Sequence, residues 1–101
     1  MSSVQPIPFK ANRQIPSYNV AIGASSQQSA AFGGQTYALR LVGTGACHYR
    51  VGKGSQTAVA TDSLLSANQF PEYIGVNPGE QIAVIQDGSS TGNLNITELT
   101  R

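Results

Sequence analysis

From residue 18 onward, short runs in which apolar and polar positions alternate are separated by turn residues. Residues 18–23 (YNVAIG) form the first run, and residues 29–32 form a short second one before Gly33-Gly34. Residues 36–42 (TYALRLV) put Tyr37, Leu39 and Leu41 on one face and Ala38, Arg40 and Val42 on the other. A period of two is the mark of a half-buried strand. Gly43-Thr44-Gly45 then predicts a hairpin turn, with residues 46–51 (ACHYRV) pairing back. Residues 55–68 are small and polar and predict a loop, with room for one helical turn after Asp62 or Ser63. Residues 70–76 (FPEYIGV) regain strand character, with Pro71 placing them at an edge or bulge. Asn77-Pro78-Gly79-Glu80 predicts a tight turn, because proline presets φ and glycine accepts positive φ. Residues 81–86 (QIAVIQ) predict a strand buried on both faces. Residues 87–92 (DGSSTG) predict another turn, and residues 93–99 (NLNITEL) alternate again.

No segment sustains a helical period. Strands at this spacing predict an all-β fold, a single small antiparallel β-sandwich or jelly-roll-like barrel over 18–101. Residues 1–17 differ. Pro6, Pro8 and Pro16 punctuate them and bias the preceding residues to extended backbone. They predict an extended N-terminal arm anchored by Ile7, Phe9 and Ile15. With Lys10 and Arg13, these are the candidate contacts to a neighbouring subunit. The alternative is an arm that folds back on its own domain as an edge strand.

Composition adds one point. Only 11% of the 101 residues are charged, about half the usual share. Desolvating such a surface costs little, which suits a subunit packed among copies of itself or of others. The net charge of +1 gives no bulk attraction to nucleic acid. The charges are unevenly placed, +5 over residues 1–61 and −4 over 62–101. Such a chain has a positive and a negative side unless antiparallel pairing mixes the halves. No apolar run approaches the ~20 residues of a membrane helix. The N-terminus has neither the basic start nor the apolar stretch of a signal peptide. The expectation is a soluble protein made in the cytoplasm.

Candidate chemistry is sparse. Cys47 and His48 are the single cysteine and the single histidine. As strand neighbours they point to opposite faces and predict no nucleophile–base dyad. Cys47 is expected in the core and His48 at the surface. Two such ligands fall short of a zinc site, and residues 87–92 carry one carboxylate, too few for calcium. Gly52-Lys53-Gly54-Ser55 fails the phosphate-loop spacing, and Gly43-Thr44-Gly45 lacks the third glycine of a dinucleotide fingerprint. Glu72 and Glu80 straddle a turn and are the one pair that a glycoside hydrolase could use. Arg40 and Arg50 would face each other across the hairpin, but Tyr37 and Tyr49 fall on the opposite face, so a nucleic-acid patch lacks its stacking platform. Asn95-Ile96-Thr97 is a glycosylation acceptor only on a secretory route. The expectation is a protein without enzymatic activity, cofactor or metal.

The runs ALRLVGTGACHYRVG, ATDSLLSANQFPEYIGVNPGEQIAVIQDG and GNLNITELT cover about two-thirds of the chain. They resemble small structural proteins of tailed bacteriophages. The shared pattern is two strands ending in glycine, a small-polar loop with two leucines and an aromatic-acid-aromatic strand. A Pro-Gly-Glu turn, an apolar strand and a final N-x-T strand follow. Here the aromatic-acid-aromatic element is Phe70-Pro71-Glu72-Tyr73, and Pro71 is an insertion in it. Capsid decoration (cement) proteins of jelly-roll or sandwich fold are the most similar. The resemblance implies a virion protein that binds the major capsid protein or other virion subunits in many copies and stabilises the shell. It transfers no individual functional residue. Head-to-tail joining, or a tail-associated or host-glycan-binding module, are the alternatives.

Overall fold

The computed structural model describes Arg13, Gln14 and residues 17–100. Nine strands run through them: β1 (Arg13–Gln14), β2 (Tyr18–Ile22), β3 (Gln27–Gln28), β4 (Thr36–Gly43), β5 (Cys47–Lys53), β6 (Ser63–Leu65), β7 (Glu72–Gly75), β8 (Glu80–Gln86) and β9 (Gly92–Thr100). None of the described residues is helical, so the all-β expectation holds.

The strands make two antiparallel sheets. In the first, β9 is central: β1 and β2 pair with successive parts of one side, β4 with the other, and β7 lies beyond β4. The second has the order β3-β8-β5-β6. Side chains from both sheets meet in one core. Val20, Ile22, Leu39, Leu41, Leu94 and Ile96 come from the first sheet, and Cys47, Leu65, Ile82 and Val84 from the second. Phe32 and Val76 join from connecting segments. The arrangement is sandwich-like, and each fully buried Leu or Ile contributes roughly 1.5–3 kcal/mol. As expected for a strand covered on both sides, Ile82, Ala83 and Val84 are all buried.

Three sequence expectations are corrected. The first is the hairpin at Gly43–Gly45, which does not form. β4 and β5 belong to different sheets, and residues 44–46 cross between them. The crossing is fixed by β9, not by β5. Thr44 donates its amide to the Asn93 carbonyl at 2.9 Å, and its Oγ1 accepts from the Asn93 amide at 2.8 Å. Gly-Thr-Gly serves a close backbone crossing here rather than a two-residue turn.

Second, the short strand expected at 29–32 lies at Gln27–Gln28, paired with Val84 and Ala83. Beyond it the chain follows β8 less regularly. Ser29 and Phe32 donate to the carbonyls of Ile82 and Glu80, while buried Ser29 Oγ accepts from the Ile82 amide at 3.2 Å. That side-chain bond takes a backbone partner's place and ends the regular ladder. Third, residues 63–65 extend along β5 instead of making a helical turn, with Leu65 inserted in the core. One buried leucine is enough to set the register of so short a strand.

Of the N-terminal arm, Ile7, Phe9, Lys10 and Ile15 lie outside the described residues. Arg13 and Gln14 pair with Thr100 and Leu99, so at that point the chain lies against its own domain.

Candidate interaction surface

Sheet order puts β6 and β7 at the edges of their respective sheets, because each pairs on one side only. Residues 66–71 join them. The most exposed large apolar side chains among the described residues collect along this stretch: Phe70 is 91% exposed, Leu64 54% and Tyr73 52%.

Local backbone chemistry holds them outward. Asn68 adopts φ 55°, a left-handed conformation that asparagine tolerates. Its amide donates to the Gly43 carbonyl at 2.8 Å, which ties the connection to the end of β4. Pro71 then restricts Phe70 to extended backbone. In β7 alternate residues diverge: Ile74 packs on the core while Tyr73 points away. Glu72 accepts a hydrogen bond from the Tyr49 hydroxyl at 2.5 Å, linking the edge of one sheet to β5 of the other. Burial, and then that carboxylate, push the Tyr49 hydroxyl well above the ordinary tyrosine range. Exposed aromatics on a braced edge are the kind of group that dominates protein interfaces.

The groups weighed for chemistry do not converge. Glu72 serves Tyr49, while Glu80 accepts from the Asn77 amide at 2.8 Å in its own turn. Beside that turn a shallow depression is lined by Val51, Gly75, Val76, Asn77 and Glu80, with one carboxylate already engaged. Arg40 and Arg50 lie on different sheets, which corrects their expected meeting across a hairpin. Arg50 donates to Asp62 through Nε at 3.2 Å and Nη2 at 3.0 Å. Arg40 is the cross-strand neighbour of Tyr73 and Thr97. Cys47 is fully buried as expected, and burial pushes its thiol up to about 11, so it is no ready nucleophile. Among the described residues no group of three or more His, Cys, Asp or Glu is placed to hold a metal ion.

His48 departs from expectation. It points away from Cys47, but its side chain is only 12% exposed. The segment 54–62 lies over part of the outer face of the second sheet, tied to Ser26, Gln28 and His48. Nδ1 lies 2.9 Å from the Asp62 carbonyl, and Nε2 lies 2.9 Å from Asp87 Oδ1. These contacts raise the His48 pKa, the Asp62 carbonyl most and the Asp87 carboxylate next. Asp62 is lowered, first by the Val59 amide and then by Arg50. The pairs Arg50–Asp62 and His48–Asp87 join the basic first part of the chain to the acidic second part, so antiparallel packing partly cancels that asymmetry.

The sequence reading also missed Glu98, which is buried at 6% exposure. Its Oε1 accepts from the Gly33 amide at 3.0 Å and the Thr36 hydroxyl at 2.6 Å, and its Oε2 accepts from Tyr18 at 2.8 Å. Burial and this carboxylate raise the Tyr18 hydroxyl well above its ordinary range. Parity could have found it, since Leu94, Ile96 and Glu98 share one face of β9.

Comparison of the chain with protein-family models, curated proteins and solved structures finds no match.

Proposed function

We propose that this protein is a non-enzymatic structural subunit that binds in many copies to a bacteriophage capsid and stabilises it. Its partners are then the major capsid protein or other virion subunits, and its location is the virion. The observation that carries the reading is Phe70, 91% exposed in the braced connection between β6 and β7. A large aromatic held in solvent costs free energy in the isolated chain and returns it when covered. The low charge content and the sequence resemblance support the same reading.

In this reading the sandwich closes in jelly-roll fashion, and the leader with Ile7, Phe9, Lys10, Arg13 and Ile15 makes a second contact. Weak contacts repeated over a particle add through avidity. Exposed Phe70 and Tyr73 would also suit stacking on a host glycan, the reading in which the domain belongs to a tail.

The test is co-sedimentation of the protein with its native particle. Phe70→Ser leaves folding intact, because the ring touches little, and is expected to weaken particle binding about tenfold or more. Deleting residues 2–15 is expected to weaken it separately. If Phe70→Ser binds particles like the wild type, the edge has no part in attachment. If the protein binds glycans and no particle, the tail reading replaces this one.

A further inference from the structure

The surroundings of His48 contain a mismatch that depends on protonation. Both ring nitrogens face groups that only accept: a main-chain carbonyl (Asp62) at Nδ1 and a carboxylate (Asp87) at Nε2. A neutral imidazole has one N–H and one lone pair, so it can satisfy one of these and must present a lone pair to the other. Only the imidazolium donates to both.

The two acceptors sit on different loops. Asp62 ends the strap 54–62, and Asp87 opens the turn between β8 and β9. Arg50 also holds the strap through Asp62, and the strap's remaining ties to the rest of the domain are neutral hydrogen bonds. The Gln56 amide donates to Gln28 Oε1 and the Ala58 amide to Ser26 Oγ, both at 2.9 Å. The Val59 amide donates to Asp62 Oδ2 at 2.8 Å. Ala58 is buried among the strap's contacts, while Val59 is 42% exposed. Beneath the strap lies the outer face of β8, including fully buried Ala83. The charged groups facing the imidazole are Asp62 and Asp87, with Arg50 held on Asp62. The cross-strand neighbours from β6 and β8 are Leu64 and Ile85, which carry no charge.

We propose that His48 is a pH-operated latch: its imidazolium clamps the strap 54–62 to the β8–β9 turn, and loss of one proton opens that clamp and loosens the strap. The proton lost is the one on Nδ1, because Nε2–H keeps the stronger, charge-assisted bond to Asp87. A lone pair then faces the Asp62 carbonyl. The folded state raises the His48 pKa, so the latch's stabilisation is fully present below the unfolded histidine value of about 6.5. It is lost as pH rises through the folded value. Release uncovers Ala83, which is fully buried on the outer face of β8 between the exposed Gln28 and Arg50. This inference does not depend on the capsid reading, since it concerns the isolated chain.

The chain has one histidine, so its imidazole resonances are unambiguous in a nitrogen-detected NMR titration. The expected result is a midpoint above the ordinary value, with both nitrogens protonated below that midpoint. Amide exchange at Gln56, Ala58, Val59 and Asp62, corrected for intrinsic pH dependence, should accelerate about tenfold across the same midpoint. Asp87→Ala is the decisive variant. It leaves one acceptor, which a neutral ring satisfies through Nδ1–H, so strap protection should become independent of pH. His48→Gln should give weaker protection that is also flat with pH. A midpoint at or below the ordinary value would overturn the proposal. So would strap exchange that stays flat in the wild type while His48 titrates, or that keeps its pH dependence in Asp87→Ala.

Discussion

Gly45→Ala is expected to cost at least about 3 kcal/mol of stability, and to lower the melting temperature by on the order of 15 °C. A Cβ built on Gly45 falls 2.2 Å from the Thr91 carbonyl oxygen and 2.9 Å from its carbon. Both are backbone atoms, so no side-chain rotation relieves the contact. The crossing strand cannot simply move aside. Its position is set by the Thr44–Asn93 bonds on one side and by fully buried Leu94 in the core on the other. Gly92 approaches from the opposite direction: its φ is 143°, and a Cβ there would meet Thr44 Oγ1 at 2.6 Å and the Gly45 amide nitrogen at 3.0 Å. Gly75→Ala is the matched control. It lies in β7 with no heavy atom within 4 Å of the added carbon and no positive φ, so it should stay within about 0.5 kcal/mol of the wild type. Thermal unfolding of the three proteins checks this. A Gly45→Ala protein that melts beside the control would show that the two backbones do not touch as described.

The same crossing marks where the sequence stopped being legible. β4 and β9 could be read because alternation with buried Leu and Ile fixes both period and face over eight or nine residues, and β8 because a short continuous apolar run bounded by turns suits a strand covered on both sides. Gly43-Thr44-Gly45 has the residues of a hairpin turn. What makes it a crossover is a backbone approaching from nearly fifty positions later in the chain, and no local pattern encodes that. β6 was missed for a related reason: it has three residues and one buried side chain, too few to show a period. At the candidate surface, the aromatic-acid-aromatic run drew notice, and the parity of β7 would have placed Tyr73 outward. The exposure of Phe70 depends on Asn68 and on the tie to Gly43, which only the fold supplies. His48 was expected at the surface because a strand facing away from the core usually meets water. Its acceptors come from 14 and 39 residues further on, and the strap that covers it looks like any polar loop. Glu98 is the one feature whose concealment was avoidable, since simple alternation puts it on the core face with Leu94 and Ile96.

Glu98→Ala is expected to cost about 3–5 kcal/mol, the largest effect of any substitution at a carboxylate in this chain. Truncation leaves three donors without their acceptor: the Gly33 amide, the Thr36 hydroxyl and the Tyr18 hydroxyl. A buried donor that loses its partner costs roughly 1–3 kcal/mol. The two hydroxyls can turn towards other acceptors, whereas the Gly33 amide cannot, which keeps the total below the simple sum. The loss would also be structural in reach, because this carboxyl group joins β9 to β2, to β4 and to the turn that precedes β4. Glu98→Gln separates hydrogen bonding from packing. It retains Oε1 for Gly33 and Thr36 and presents an amide NH2 to Tyr18, whose hydroxyl can reverse and accept. That variant should cost about 1 kcal/mol. Glu98→Leu, which fills the space but offers no acceptor, should resemble the alanine variant rather than the glutamine one. Chemical denaturation with a shared m-value would rank them. A leucine variant as stable as the wild type would mean that these three donors find other partners, and that Glu98 fills volume rather than ties strands together.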